Sequence, residues 1–524
     1  MSDVEDSHSL DDAESVGPPL GSGERERRSL YRHPLAAVGG ALIATGAFAF
    51  VVLSAVDIAA DVENPYRSLV TFVGAPAIFT VGVVLFLLAA RIQVRRARRL
   101  GESVHFVLRV EPSDPRYMRN LWVFLGLTAL FFSVVGWSGF KAYEATDSVT
   151  FCGESCHVMD PQNVTYANGP HARVPCVDCH IGPGGSFWVK SKIDGIRQLV
   201  ATATNSYDRP IHTPVETLRP AQQTCEGCHW PEQFFGQKLT NRTYYRTDEF
   251  NSPWTISLLV NVGGGNPRTG ELEGIHWHML SANDVEYIAT DEKRQEIPWV
   301  RVTNTETGEV TVYSDPDEDV PDPSDPDTDV RLFDCMDCHN RPSHSFQPPA
   351  SAMNLEISKG NISKELPFIR SVGLDLLNAQ YATQSEGSAA IANGLVDFYN
   401  AEYPERAFDL SADIAAATVA LQSVYVDNFF PELNTDYRAR TNNLSHFVND
   451  GCFRCHNTDL RTDTGRQISA DCEGCHAIVA QGPTDDVRQL DDDLAGLEFE
   501  HPADIGGVWQ TVKCTQCHNP ASGY

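Results

Sequence analysis

All 14 cysteines of this 524-residue chain lie in short motifs in which a histidine directly follows the second cysteine. Six motifs read Cys-x-x-Cys-His, and the one in FCGESCHVMD has three residues between its cysteines. Two such thiols can add to the vinyl groups of one porphyrin while the histidine binds its iron, as in c-type haem. The motifs are Cys152/Cys156/His157, Cys176/Cys179/His180, Cys225/Cys228/His229, Cys335/Cys338/His339, Cys452/Cys455/His456, Cys472/Cys475/His476 and Cys514/Cys517/His518. We therefore expect seven covalently attached haem c groups.

A zinc knuckle or a redox dithiol is the alternative for any single motif. Zinc needs two such pairs at one metal and does not require a histidine after every second cysteine. The sevenfold repeat of that histidine favours haem.

Six-coordinate irons need further ligands, and ten of the 17 histidines lie outside the motifs. Four of them lie within 13 residues of a motif and are candidate distal ligands: His171, His344, His446 and His501. His276 and His278 alternate in GIHWHML, so in a strand both would face one haem, and only one could bind a given iron. His212 is either a ligand or an ordinary loop histidine.

The first motif offers a different ligand, because Met159 follows His157 by two residues. A thioether ligand raises the potential of a haem. The alternative is an ordinary core methionine. The candidate ligands of the first iron are therefore His157, Met159 or both, and Gly153 would let the longer motif bulge.

Haem c is attached outside the cytoplasm, so the chain must cross a membrane. Three uncharged, apolar runs of 23, 23 and 20 residues can span about 30 Å of hydrocarbon: Pro34–Val56, Ser68–Ala90 and Leu121–Phe140. Arginines crowd the segments before the first run and after the second, which keeps those segments cytoplasmic. We expect a bacterial inner-membrane protein with a cytoplasmic N-terminus and a periplasmic haem domain, which removes His8, His33 and His105 as ligands.

The predicted fold class is a membrane-anchored multihaem cytochrome c. Three N-terminal transmembrane helices precede a periplasmic, mainly α, loop-rich heptahaem domain with a small β-containing insertion. The net charge of −30 makes nucleic acid an improbable partner. The acidic tract at residues 315–329 is typical of a solvated loop or a calcium site. The predicted segments are a disordered acidic cytoplasmic tail (1–30), a three-helix anchor (31–142), motifs 1 to 3 (143–240), a β-containing segment with motif 4 (241–345), a helical segment (346–445) and motifs 5 to 7 (446–524).

The stretches CHVM, CVDCHIGPGG, KSKIDG and RPAQQTCEGCHWPEQFFG resemble the NapC/NirT family of membrane-anchored multihaem c-type quinol dehydrogenases. The resemblance is strong over about residues 150–235. GIHWHM, DEKRQEIPWV, CMDCHNRPSH and GCFRCHN are similar to inner-membrane cytochromes that pass electrons from menaquinol to periplasmic carriers.

This resemblance implies menaquinol as electron donor at haem 1, with Met159 as an axial ligand. It also implies a quinol site with Asp194 and with Lys190 or Lys192, although these lysines only approximate the position of the family's lysine. Interfacial lysines that reach phospholipid are the alternative. The implied partners are the membrane quinol pool, the lipid bilayer, and periplasmic c-type cytochromes or a terminal reductase.

Two other functions remain open. A multihaem terminal reductase for nitrite, hydroxylamine or a sulfur oxyanion would need one haem with an open face. A passive haem subunit would only anchor a partner complex.

Overall fold

The computed structural model describes residues 34–59, 70–99, 115–182, 185–213, 220–230, 234–263, 274–280, 282–490 and 496–519. The chain divides into two compact units, Met1–Ala145 and Thr146–Tyr524. The predicted cytoplasmic tail and the three excluded histidines lie outside the described residues.

Long helices dominate the first unit: α1 (Pro34–Ala59), α2 (Ala75–Arg99, after a π-helical turn at Val70–Gly74) and α3 (Pro115–Thr146). Two stretches are long and apolar enough to cross a membrane, Pro34–Leu53 and Ala75–Arg96. They overlap the first two apolar runs, and the second stretch begins and ends six to seven residues later than predicted. Helix α3 covers the third predicted run, whose membrane crossing stays a prediction.

Glycines let α1 and α2 approach closely. A Cβ atom on Gly39 would lie 2.8 Å from the backbone nitrogen of Phe86, and one on Gly46 would lie 2.7 Å from that of Phe79. From the other side, a Cβ on Gly82 would lie 2.7 Å from the nitrogen of Ile43. Small residues at such crossings are typical of paired membrane helices, where close backbone packing replaces the hydrophobic effect.

The haem motifs form single helical turns. In four motifs the backbone N–H of the histidine donates to the carbonyl of the first cysteine at 2.8 to 2.9 Å, and this brings the thiols and the imidazole close together. The four histidines are His229, His339, His456 and His518. The helices of this region are α4 (Val149–Gly153), α5 (Asp160–Ala167), α6 (Cys176–His180), α7 (Gly185–Ala203), α8 (Ala221–Cys225) and α9 (Cys335–Cys338). Further 3₁₀ turns lie at His157–Met159, Trp277–Met279, Gly451–Arg454, Cys472–Gly474, Val508–Gln510 and Cys514–Gln516.

Two antiparallel four-stranded sheets occupy the second unit. Their orders are β1-β2-β7-β8 and β5-β4-β3-β6. The strands are β1 (Gly236–Tyr245), β2 (Pro253–Gly263), β3 (Asn283–Ile288), β4 (Trp299–Asn304), β5 (Val310–Ser314), β6 (Arg331–Leu332), β7 (His476–Pro483) and β8 (Arg488–Gln489). Because β7 follows motif 6 and pairs with β2, one sheet joins the β-containing segment to the C-terminal motifs.

A helical cluster supplies the largest apolar core. Its elements are α10 (Pro349–Lys359), α11 (Ile369–Asn378), α12 (Gln384–Glu402), α13 (Ser411–Asn428) and a 3₁₀ turn at Pro431–Leu433. Met353, Ile391, Leu395 and Leu421 are fully buried there. The apolar spacing in this part of the sequence thus serves packing rather than a site.

Candidate haem-attachment sites

Six motif histidines each face the imidazole ring of a histidine outside the motifs. The ring centroids lie 5.7 to 6.4 Å apart. The pairs are His180–His344 (6.3 Å), His229–His171 (6.1 Å), His339–His276 (6.4 Å), His456–His278 (5.7 Å), His476–His446 (6.1 Å) and His518–His501 (6.0 Å). Every distal candidate proposed from the sequence, apart from His212, therefore faces one motif histidine.

These separations fit two imidazoles on opposite faces of one metal. With each metal–nitrogen bond about 2 Å long, and the nitrogen about 1 Å from its ring centre, the two centroids lie roughly 6 Å apart. The residues present thus fit six bis-histidine haem irons, whose covalent attachment would use the two thiols of each motif.

Hydrogen bonds orient the distal rings. The Nδ1–H of His171 donates to the carbonyl of Pro342 at 2.9 Å, and that of His344 donates to Gln162 at 3.0 Å. The Nδ1 atoms of His276 and His278 likewise bond backbone carbonyls, at 2.9 and 3.1 Å. The Nδ1 atom of His501 lies 2.8 Å from the carbonyl oxygen of Ala503 and 3.2 Å from the backbone nitrogen of the same residue. A carbonyl at Nδ1 fixes the tautomer with a lone pair on Nε2, the nitrogen left to bind a metal.

Burial keeps many of these rings neutral. It lowers the pKa of His278 to about 4 and that of His344 to about 4, with nearby imidazoles adding to the effect. Burial also lowers the pKa of five motif-side or distal rings: His180, His339, His446, His476 and His518. Neutral imidazole is the form that binds iron, so protonation does not compete at neutral pH.

The strand predicted for GIHWHML is wrong. Trp277–Met279 forms a 3₁₀ turn after β2, so the two histidines do not share one face. His276 faces His339 of motif 4, whereas His278 faces His456 of motif 5. One short turn thus contributes to two sites.

The first motif differs from the others. Among the described residues, His157 faces no second histidine ring, and it is exposed while Met159 is half-buried. Gly153 is helical rather than bulged, and a Cβ atom there would collide with the side chain of Asn163. A side chain at this position would therefore displace that of Asn163. The roles of His157 and Met159 stay predictions.

Consecutive motifs adjoin one another. The thiol of Cys152 hydrogen-bonds with Cys176, and that of Cys225 with Cys335. Burial raises the pKa of four further thiols, and the charge of a cysteine in a neighbouring motif adds a weaker effect. These thiols, each given with that neighbouring cysteine, are Cys179 with Cys228, Cys338 with Cys452, Cys475 with Cys452 and Cys514 with Cys472. In chain order, each motif thus has a thiol within electrostatic range of a thiol in the next, which folding does not require.

The motif thiols differ in exposure, although the sequence predicts the same attachment role for all 14. Eleven motif cysteines are half-buried, whereas three are exposed: Cys228, Cys472 and Cys517. In motif 7, Cys514 begins a 3₁₀ turn and is half-buried, while Cys517 directly follows that turn and is open to solvent. Burial, and more weakly the charges of Cys472 and Cys517, raise the pKa of Cys514. The structure therefore does not enclose Cys517 as it encloses Cys514, and haem attachment through Cys517 stays a prediction.

One predicted quinol-site residue forms an ion pair close to motif 1. Lys192 Nζ lies 2.6 Å from Asp147 Oδ1 and 3.2 Å from Thr146 Oγ1. The hydrogen bond with Cys176 and burial raise the pKa of Cys152. The charge of Lys192 lowers this pKa, and the charge of Asp147 raises it. Both charges therefore lie within electrostatic range of the first attachment site.

Sequence reasoning missed Asp147, because only the folded chain brings it to a lysine 45 residues away. Lys190 is exposed and Asp194 is half-buried on the same helix, α7. Their roles at a quinol site stay predictions.

His212 belongs to none of the facing pairs. Its Nδ1 atom lies 2.9 Å from a carboxylate oxygen of Glu292, and both side chains are exposed. This supports the ordinary loop interpretation.

Paired histidines beside Cys-x-x-Cys-His turns define a multihaem c-type cytochrome, here carrying apolar N-terminal helices. The NapC/NirT cytochrome c family, N-terminal region, matches residues 116–218. The cytochrome c-type protein ImcH of Geobacter sulfurreducens is 36% identical over 493 residues, covering 94% of this chain and 96% of its own. The chain therefore belongs to the NapC/NirT family of membrane-anchored multihaem cytochromes, which carry electrons.

Shorter relatives match only part of the chain. The cytochrome c-type protein NrfH of Wolinella succinogenes is 31% identical over 137 residues, 26% of this chain and 74% of that protein. The denitrification system component NirT of Stutzerimonas stutzeri is 26% identical over 133 residues, 22% of this chain and 64% of that protein. No solved structure matches the chain.

Proposed function

We propose that this protein oxidises menaquinol at the inner membrane and passes the electrons, through seven haem c groups, to periplasmic c-type cytochromes or a terminal reductase. The observation that carries the proposal is the set of six facing histidine pairs, with His157 and Met159 left for the first iron. Bound haem supplies one-electron redox chemistry at these positions.

The proposed topology has three spans. Helix α3 has 32 residues and is about 48 Å long, more than the hydrocarbon thickness. An odd number of spans sends the second unit to the side opposite the arginine-rich N-terminal segment. This supports a cytoplasmic N-terminus and a periplasmic haem domain.

The proposed quinol site lies beside motif 1, where Lys192, Asp147 and Asp194 would handle protons. Oxidation of one quinol releases two protons and two electrons, so a carboxylate within reach is a suitable acceptor. The ion pair holds the Asp147 carboxylate and the Lys192 ammonium group in place beside motif 1. Asp194 supplies the second carboxylate.

Variants of these carboxylates test the site in nanodiscs containing the full holoprotein. We expect Asp147→Asn and Asp194→Asn to slow reduction by a menaquinol analogue by about 10²-fold, the contribution of a positioned proton acceptor. Glu292→Gln, at the surface beside His212, is the control and should leave the rate unchanged. Reduction by dithionite should be normal in all three. Wild-type quinol rates in both carboxylate variants would rule out this site.

The paired histidines also bear on the reductase alternative. A substrate-reducing haem needs one open face, whereas six motif histidines here already face a second imidazole. Cyanide or nitric oxide added to the wild-type protein distinguishes the two functions, because a reductase would bind the ligand at a haem other than the first.

A further inference from the structure

Helix α7 carries three large apolar side chains on the outside. Ile193, Ile196 and Val200, which follow one another at helical spacing, are 62%, 63% and 57% exposed. On the opposite side, Ser191 and Gly195 are partly covered, whereas Gln198 is exposed. This inverts the usual arrangement of a surface helix, in which the apolar stripe faces the core.

The helix is tied to the end of the anchor. Lys192 points inward to Asp147, the residue directly after α3, and both belong to the second unit. Asp147 lies seven residues beyond Phe140, about 10 Å of helix. The headgroup layer on each side of the hydrocarbon is about 5–8 Å thick, so this ion pair lies near its outer edge.

The charges of α7 also suit a lipid surface. The helix carries three basic residues and one acid, in a chain with net charge −30. Lys190 and Arg197 are exposed beside the apolar face. Basic residues flanking an exposed apolar stripe are typical of helices that lie in the membrane interface.

We infer that helix α7 lies flat on the periplasmic leaflet of the inner membrane, with Ile193, Ile196 and Val200 inserted among the lipids. This inference rests on the proposed function for its side of the membrane. It would hold the Lys192–Asp147 pair at the depth where a quinol headgroup arrives. We assign lipid rather than a second protein to this apolar face, because helix α3 of the anchor ends at Thr146, directly before Asp147 of the ion pair.

Thiol labelling tests the inference in nanodiscs containing acidic phospholipid and the full holoprotein. Ile196→Cys and, as a second position, Val200→Cys would react at least about tenfold more slowly with a charged maleimide than Gln198→Cys, an exposed position on the other side of α7. All three should react with an apolar maleimide that partitions into lipid. Haem content, measured in parallel, confirms folding.

Equal reaction of Ile196→Cys and Gln198→Cys with the charged reagent would overturn the inference, since the apolar face would then be in water. Protection of Ile196→Cys from both reagents would also overturn it, because a protein surface would then cover the helix. Menaquinol reduction is measured on the same nanodiscs. Lost protection with normal reduction contradicts the lipid contact alone, whereas protection without quinol reduction contradicts the proposed function alone.

Discussion

At the scale of single residues, a backbone carbonyl that accepts from Nδ1–H leaves Nε2 as the nitrogen that can bind a metal. Four distal histidines have this bond, namely His171, His276, His278 and His344, and the ring of each faces that of a motif histidine. His212 instead meets an exposed carboxylate. Whether a histidine can bind iron therefore depends on the hydrogen-bond partner of its Nδ1 atom as much as on its position in the sequence.

Removal of one distal histidine should open one iron. We expect His344→Ala to leave all haems attached while roughly one haem in seven gains the ability to bind carbon monoxide in the reduced state. The difference spectrum of the purified holoprotein measures this fraction. His212→Ala is the matched control and should bind no more carbon monoxide than the wild type. Full haem content without any new binding would show that His344 is no ligand.

The thioether of Met159 should set the potential of the first haem. Because a methionine ligand raises the potential relative to histidine, Met159→His should lower the midpoint of one haem in a redox titration. Met353→Leu, at a fully buried position of the helical cluster, is the control and should leave every midpoint in place. An unchanged titration of Met159→His would mean that this side chain does not bind the iron.

The choice of distal histidines was predictable from the sequence, but their partners were not. His344 lies five residues after motif 4 yet faces His180 of motif 2. His171 lies five residues before motif 2 yet faces His229 of motif 3. Proximity in sequence indicates that a histidine is near some haem, whereas the tertiary fold selects which one.

At the scale of elements, the two apolar helices pack through glycines on both partners. Gly39 and Gly40 are neighbours, but a Cβ atom on Gly39 meets the backbone of α2 while one on Gly40 meets nothing within 4 Å. The same substitution at the two positions therefore distinguishes the effect of contact between the helices from the effect of helix propensity.

Gly39→Val should destabilise the anchor by about 1–3 kcal/mol, the usual cost of overpacking. The expected readout is a lower thermal midpoint of the detergent-solubilised protein and a lower yield in membranes. Gly40→Val is the control, since it carries the same β-branched side chain in open space. Equal loss in both variants would attribute the effect to helix propensity rather than to contact between helices.

Elements with strong periodicity were predictable, and those that depend on distant partners were not. The strands at WTISLLVNV and EVTVYS lie where alternation predicts them. The pairing of β2 with β7 joins residues more than 200 positions apart, which no local pattern encodes. At GIHWHML the alternation predicts a strand, but the chain forms a 3₁₀ turn there. Its two histidines face motif 4 and motif 5.

At the scale of the whole molecule, a thiol of each motif lies within electrostatic range of a thiol in the next motif along the chain. Repeated motifs predict the number of attachment sites, but their adjacency follows only from the fold. This order supports electron transfer from each motif to the next, which is the core of the proposed function.

Direct reduction by quinol tests that function most simply. The full holoprotein in nanodiscs is mixed anaerobically with a menaquinol analogue, and the haem absorbance is compared with that after dithionite. The account predicts that quinol reduces haems beyond the first, giving most of the absorbance change that dithionite gives across seven motifs. Haems that stay oxidised with quinol, yet are reduced fully by dithionite, would contradict it.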